Sequence, residues 1–268
     1  MNARALGLGL LLSITALACT QSVQQPRTAA EFEQSAKQAY DEALIDYLDG
    51  NWEFARQEME EVRRNFPHTP YARLAQLRLA DIAFRQERYP EAIAQYQAYV
   101  KDHPNDNDVS YARFRVIRSQ FLSASNTFFQ PPLEERDLAA VRDAYAGIRA
   151  FSADYPNYPE REQLRYMHQS VSGMLARHEL YVARFYLRRD EYTAARRRVQ
   201  YALRNFQDTG MEPEAVVLLG EIYLQERQRD RARALFELVL SDYPHSPFVV
   251  PAQNFLALLD ESAAQGSP

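Results

Sequence analysis

The side chains that most often perform chemistry are scarce in this sequence, and their spacing does not favour catalysis. Cys19 is the single cysteine, and no G-x-S-x-G motif marks a nucleophilic serine. The five histidines include no i,i+4 pair, the spacing that places two metal ligands on one face of a helix. They are His68, His103, His168, His178 and His245. We therefore expect a protein that is not an enzyme and that holds no metal.

Acidic pairs and overall charge support the same expectation. Glu60-Glu61 and Glu134-Glu135 could in principle share a proton, but adjacent carboxylates on a helix usually face solvent. The 8 glycines form neither G-x-G-x-x-G nor G-x-x-x-x-G-K-[ST], so no phosphate-binding loop is expected. The basic residues total 31, of which only Lys37 and Lys101 are lysines, and the net charge is −5. This balance excludes a nucleic acid bound mainly through electrostatic attraction.

The chain begins with a segment typical of an export signal. Arg4 precedes an apolar run over residues 5–14, which is shorter than the roughly 20 residues that span a membrane. Small residues follow, and Thr15-Ala-Leu-Ala-Cys19 resembles the lipobox of bacterial lipoproteins. The resemblance implies cleavage after residue 18, a diacylglycerol on the Cys19 sulfur and an acyl chain on its amino group. The alternative is an ordinary signal peptide followed by a cysteine without a role.

The lipid on Cys19 would set the location of the protein. Two or three acyl chains hold a protein stably on a membrane, whereas one chain alone is marginal. Thr20 stands where lipoproteins retained at the inner membrane carry Asp, so the resemblance implies the periplasmic face of the outer membrane. We expect residues 1–18 to be the signal peptide and 19–30 to be the lipidated cysteine with a flexible tether. No cofactor is expected beyond the covalent lipid.

A repeat organises the rest of the chain. Turn-forming clusters recur, centred on positions 67, 104, 156, 207 and 244, so that the intervals are 37, 52, 51 and 37 residues. Four of the five centres are prolines, which cannot continue a helix. The two longer intervals contain insertions of about 14 residues.

Small residues recur at fixed distances before these centres. Twelve residues before four of them stand Ala55, Ala92, Ala195 and Ala232. Twenty-four residues before the same four stand Ala43, Ala80, Ala183 and Gly220. Small side chains at both places let two antiparallel helices approach closely. This is the tetratricopeptide pattern, in which each repeat is a helix pair.

The predicted fold class is all-α, a tetratricopeptide-repeat solenoid of five helix pairs plus a C-terminal helix. We expect an N-terminal half over 31–158 (repeats 1–3), a C-terminal half over 159–262 (repeats 4–5 and a capping helix) and a disordered tail over 263–268. The predicted helices are 29–48, 52–65, 71–87, 90–102, 108–124, 135–154, 160–189, 191–205, 212–226, 229–242 and 247–261. The register of repeat 3 and the conformation of the 125–134 insertion stay open.

A solenoid of this kind binds partners on the concave face formed by the first helix of each repeat. Inward positions in repeats 1–3 are largely apolar and aromatic, which favours an extended or unfolded peptide. The predicted peptide-binding residues are Tyr40, Tyr47, Leu77, Phe84, Arg85 and Phe121. Arg85 is available for a terminal carboxylate. The alternative is that the aromatic side chains fill gaps between helices.

Residues 30–255 resemble the BamD family of outer-membrane protein assembly lipoproteins. The resemblance is carried by Tyr40-Asp-Glu-Ala-Leu44, by Asn51-Trp52 and by residues 179–199, together with the lipobox and the repeat order. It implies a subunit that binds unfolded outer-membrane β-barrel clients and docks on the periplasmic domains of a BamA-like barrel subunit. Other assembly lipoproteins are implied as partners.

A docking site on repeat 4 follows from the same resemblance, and Arg184 and Arg188 join it from the inward positions of the first helix of that repeat. The family places an arginine immediately before the valine of the second helix of repeat 4, which singles out Arg198 before Val199. The predicted partner-binding residues are Arg184, Arg188, Arg197 and Arg198. Successive arginines fan around a helix at 100° per residue, so they cannot all face one partner. Two alternatives stay open, a solvated arginine run and, for the whole chain, a pilotin-like lipoprotein that assists secretin or pilus assembly.

Overall fold

A computed structural model describes residues 28–125 and 138–265, which form eleven helices. The helices are α1 (Ala29–Asp49), α2 (Trp52–Asn65), α3 (Pro70–Arg85), α4 (Tyr89–Asp102), α5 (Val109–Ser125), α6 (Ala139–Asp154), α7 (Arg161–Leu187), α8 (Tyr192–Asn205), α9 (Glu212–Gln225), α10 (Arg229–Asp242) and α11 (Val249–Gln265). Each helix packs against the next one in the chain. The all-α prediction and the five helix pairs with a terminal helix are confirmed. Cys19 and most of the 125–134 insertion lie outside the described residues.

Local sequence signals explain where the helices begin and end. Thr28 caps α1, because its hydroxyl accepts a hydrogen bond from the Glu31 amide at 3.2 Å while the Glu31 carboxylate accepts one from the Thr28 amide at 2.8 Å. Gly50 ends α1 at a φ of 81°, a left-handed conformation that suits glycine. Thr69 caps α3, and Pro70 occupies its first turn, where no backbone donor is needed.

The small residues of the repeat lie where the helices meet. The alanines at the two repeat positions have no exposed surface, and Gly220 is buried as well. These alanines are Ala43, Ala55, Ala80, Ala92, Ala183, Ala195 and Ala232. The predicted close approach of paired helices is therefore confirmed.

The long helix α7 connects the middle of the chain to the C-terminal repeats. It has 27 residues, and one continuous apolar core extends from Phe114 in α5 to Ile222 in α9 across it. α11 continues to Gln265, four residues beyond the predicted end of the last helix at 261. None of the helices in 28–125 and 138–265 is both long enough and apolar enough to cross a membrane.

Candidate peptide-binding and docking surfaces

A buried carboxylate, Asp81 of α3, lies at the centre of a polar network between repeats 2 and 3. Its Oδ1 accepts hydrogen bonds from the hydroxyls of Tyr96 (2.5 Å) and Tyr111 (2.7 Å). The guanidinium of Arg78 donates to Oδ2, and that of Arg115 lies 3.6 Å from Oδ1. We call these five residues the Asp81 cluster. Because they come from α3, α4 and α5, the cluster holds successive repeats together.

The cluster satisfies a charge that burial would otherwise make costly. Asp81 has no exposed surface, and a buried carboxylate is tolerated only when it is paired and hydrogen-bonded. Burial raises the pKa of Tyr96 and Tyr111, and the nearby negative charge of Asp81 raises both further. Both hydroxyls therefore stay protonated and donate to Asp81. Arg115 Nε in turn donates to the Tyr96 hydroxyl at 2.9 Å.

Positive charge exceeds negative charge beside this cluster. The guanidinium of Arg115 lies 3.6 Å from the ring centroid of Phe84, and that of Arg118 lies 5.3 Å from the same ring. The pKa of Arg118 is lowered by partial burial and by repulsion from Arg115 and Arg85. Mutual repulsion of this kind is relieved when an anion binds.

Three of the six predicted peptide-binding residues pack inside the protein. Leu77 is 1% exposed, Tyr40 is 6% exposed against Tyr71, and Phe84 is 9% exposed beneath the two arginines. These three side chains fill gaps between helices, which is the alternative left open by the sequence, and their binding of a peptide stays a prediction. For Phe84, Arg115 of α5 in the next repeat covers the ring.

The other three predicted residues keep contact with solvent. Arg85 is exposed, whereas Tyr47 and Phe121 are half-buried. Tyr47 packs edge-on against Trp52 and beneath Arg78, whose guanidinium lies 5.7 Å from its ring centroid. Whether any of the three binds a peptide stays a prediction.

Arg118 of α5 and the α7 residues beside Phe121 were not among the residues predicted from the sequence. Tyr166 is 65% exposed and contacts Phe121 edge-on at 6.1 Å between ring centroids. Next to it a cavity of about 410 Å³ is lined in part by Gly173 and Arg177. A Cβ atom at Gly173 would meet nothing within 4 Å, so the surface is open here. The spacing of Tyr111, Arg115 and Arg118 at i, i+4 and i+7 was the available signal for the α5 residues.

The predicted docking arginines of repeat 4 are divided into paired and unpaired side chains. Arg198 of α8 contacts Glu179 of α7 at 3.2 Å, and Arg184 of α7 contacts Glu214 of α9 at 2.8 Å. Arg188 and Arg197 are exposed and form no ion pair within the described part of the chain. The four side chains therefore do not form one cluster. This agrees with helix geometry, because successive arginines at 100° per residue cannot all face one partner. Docking of a partner by these four arginines stays a prediction.

The sequence matches a family described as YfiO: Outer membrane lipoprotein, over residues 32–235. The chain belongs to this family. Similar relatives carry the name Outer membrane protein assembly factor BamD. The protein of Xylella fastidiosa strain 9a5c is 24% identical over 242 residues, covering 87% of this chain and 82% of the relative. The protein of Neisseria meningitidis strain Z2491 is 25% identical over 248 residues, covering 91% and 92%.

Solved structures of helical repeat proteins are more distant from this member of the family. A tetratricopeptide repeat protein of Thermus thermophilus is 17% identical, covering 83% of this chain and 99% of that protein, at a TM-score of 0.38. The fold assignment therefore rests on the helices of this chain themselves. Over residues 28–125 and 138–265, no group of three or more His, Cys, Asp and Glu side chains could hold a metal ion.

Proposed function

We propose that this chain is a non-enzymatic, lipid-anchored subunit that assembles β-barrel proteins at the periplasmic face of the outer membrane. It would bind unfolded clients through the concave side of repeats 1–3. Through repeat 4 it would dock on the periplasmic domains of a BamA-like barrel subunit, together with other assembly lipoproteins. Membership of the outer membrane lipoprotein family and the printed name of its relatives support this assignment.

The observation that carries the client site is the excess of positive charge beside aromatic side chains. Arg115 and Arg118 both lie over Phe84, and Arg115 and Arg85 repel Arg118, while Asp81 is already occupied by its own hydrogen bonds. A chain terminus with an aromatic last residue matches this surface, because its carboxylate would pair with a guanidinium and its ring would contact Tyr47 or Phe121. Because Phe84 is buried, Arg118 is the residue whose substitution tests the binding of the peptide carboxylate.

The extension along α7 gives such a peptide room to continue. Tyr166 continues the exposed aromatic surface from Phe121, and Gly173 leaves a depression beside Arg177. An extended strand of ten residues is about 33 Å long and requires a surface that several helices provide. The proposal therefore places the peptide terminus at Arg118 and its preceding residues towards α7.

The test uses two versions of one synthetic peptide ending in phenylalanine, one with a free carboxylate and one with an amide. We expect the free acid to bind and amidation to weaken binding about tenfold or more, because a hydrogen bond to a charged group contributes about 1.5–3 kcal/mol. Arg118→Gln should remove that difference. Arg231→Gln is the matched control, since Arg231 is an exposed arginine that also lies over a ring, at 5.6 Å from the Tyr223 centroid.

Fluorescence anisotropy of the labelled peptides measures both affinities, and circular dichroism checks that each variant is folded. Equal affinity for acid and amide in the unchanged protein would reject a terminal carboxylate at this site. Loss of discrimination in Arg231→Gln as well would assign the effect to overall charge rather than to Arg118.

A further inference from the structure

A cavity rich in arginine lies between the end of α6 and the start of α7. Its volume is about 390 Å³, and three of its lining residues are arginines, Arg149, Arg161 and Arg165. None of the described residues that line it is acidic. Arginine side chains that converge without a carboxylate among them indicate a site for an anion.

Charge pairing at the rim leaves most of this positive charge available. Glu162 lies 2.8 Å from Arg165 and 3.9 Å from Arg161, and all three side chains are largely exposed. Pairs with that exposure are weak and exchange readily. Arg149 stacks over the Tyr145 ring at 5.6 Å to the centroid. Glu162 therefore pairs with two of the three guanidiniums, and Arg149 has no ion pair within the described residues.

Neutral donors line the same cavity. The Tyr155 hydroxyl accepts a hydrogen bond from Arg113 at 3.5 Å, which leaves its own proton free to donate. Ser152 supplies a second hydroxyl, and the His168 imidazole a nitrogen donor. The buried side chains of Ile148 and Leu164 also line the cavity, and an apolar surface strengthens electrostatic attraction above it.

We propose that this cavity binds a phosphate monoester, either of a free phosphate compound or of a lipid headgroup that ends in a phosphate monoester. A phosphate monoester carries up to two negative charges, which corresponds to the net charge of three guanidiniums and Glu162, and each of its three terminal oxygens can accept hydrogen bonds from several of the donors here. A single carboxylate has one charge and two oxygens, so it would leave part of the site without a partner. Guanidinium groups also bind phosphate through paired hydrogen bonds.

His168 reports occupancy of the site. Its ring stacks on Tyr145 at 5.3 Å between centroids. Partial burial and the positive charge of Arg149 on α6 lower the pKa of His168. Arg161 and Arg165 of α7 line the same cavity with Glu162 paired to both, and the Asp208 carbonyl accepts a hydrogen bond from Gln169 beside His168. A bound anion would offset the repulsion from Arg149 and raise the pKa of His168.

The experiment titrates the imidazole resonance of His168 by NMR, using the non-acylated Cys19→Ser protein in chloride buffer with and without inorganic phosphate. We expect phosphate to raise the pKa by ~0.5 unit or more, as a nearby opposite charge stabilises the imidazolium. The double variant Arg149→Gln with Arg165→Gln should lose that response, compared with its own phosphate-free titration. Arg231→Gln again serves as the control, because its guanidinium lies at the same 5.6 Å from a tyrosine centroid outside the cavity.

Vesicles separate the two sources of phosphate. A response to phosphatidic acid vesicles, whose headgroup is a phosphate monoester, but not to inorganic phosphate or phosphatidylcholine vesicles would assign the site to a lipid headgroup. A response to inorganic phosphate alone would assign it to a free phosphate compound. No response to any of them, or an undiminished response in the double variant, overturns the proposal. A response only to a glutamate-rich peptide also overturns it and assigns the cavity to an acidic protein segment.

Discussion

Repeats 2 and 4 both contain arginine–carboxylate contacts, but they place them differently. In repeat 2 Asp81 is fully buried and receives two tyrosine hydroxyls in addition to its arginines. In repeat 4 the side chain of Arg198 is 46% exposed where it contacts Glu179, and that of Arg184 is 41% exposed where it contacts Glu214. A buried network is costly to disrupt, whereas the arginines of repeat 4 can turn towards a partner, at the cost of leaving the largely buried Glu179 (10% exposed side chain) or Glu214 (19%) without its ion pair.

The two regions therefore suit different tasks. The Asp81 cluster fixes the relative position of α3, α4 and α5 and so pre-organises the surface around Arg118 and Arg85. The ion pairs of repeat 4 hold arginines that a partner's carboxylate could take over. Stability in the C-terminal repeats must come instead from apolar packing, such as Phe236 stacked on Phe255 at 4.9 Å between centroids.

Asp81→Asn should produce the largest loss of stability. The substitution leaves Arg78 and Arg115 without their shared negative charge in a partly buried site. We expect a decrease of about 3–5 kcal/mol in the free energy of unfolding, the range seen when one partner of a buried pair is removed. Urea denaturation followed by circular dichroism measures it.

Asp41→Asn is the matched control for Asp81→Asn. Asp41 also pairs with a basic side chain on its own helix, Lys37 at 2.5 Å, but both side chains are about half exposed. It should leave the urea midpoint unchanged within error. A loss for Asp81→Asn as small as that of the control would show that the Asp81 cluster does not stabilise repeats 2 and 3.

Gly220→Ala should destabilise the C-terminal repeats through packing alone. A Cβ atom at Gly220 would lie 2.5 Å from Cε1 of Phe236, a ring with no exposed surface that cannot move aside. Overpacking of this kind costs about 1–3 kcal/mol. Thermal unfolding should show a lower midpoint.

Gly173→Ala gives the opposite expectation within the same kind of helix. The new Cβ atom meets nothing within 4 Å, and alanine favours a helix interior by about 1 kcal/mol over glycine. A higher midpoint for Gly173→Ala beside a lower one for Gly220→Ala would confirm that close approach, not helix propensity, requires glycine at 220. Equal shifts would contradict that explanation.

The repeat could be predicted from sequence because it depends on local signals. α2 and α8 end where the turn clusters at 65–70 and 205–210 begin, and Ala55 and Ala195 lie in the helix contacts at the expected offset. Prolines, caps and small residues act within one helix pair, so their spacing in the sequence is their spacing in the fold.

The surface of the solenoid could not be predicted in the same way. Phe84 was expected to face a ligand, but Arg115 of the next repeat covers it at 3.6 Å. Which side chain covers which depends on the rotation between repeats, and the pattern within one repeat does not contain that angle. The cavity beside His168 could not be predicted for the same reason. Its arginines come from α6 and α7, which belong to successive repeats.

The smallest expected effect on stability is that of the Arg198–Glu179 pair. Because the Arg198 side chain is half exposed but that of Glu179 is only 10% exposed, a double-mutant cycle of Arg198→Ala with Glu179→Gln should give a coupling at the upper end of about 0.2–1 kcal/mol. The same Arg198→Ala substitution should nevertheless weaken binding to the soluble periplasmic domains of a BamA-like subunit by about tenfold or more, if Arg198 exchanges Glu179 for a desolvated carboxylate of the partner. Arg198→Lys should recover only part of the affinity, because lysine lacks the paired donors. Arg196→Ala is the control. Arg196 lies on the same helix as Arg198 and contacts Glu226 at 3.4 Å, and its substitution should change binding little. Equal and small effects of both substitutions on binding, measured by titration calorimetry, would assign the arginine run to solvent and remove the functional half of the comparison.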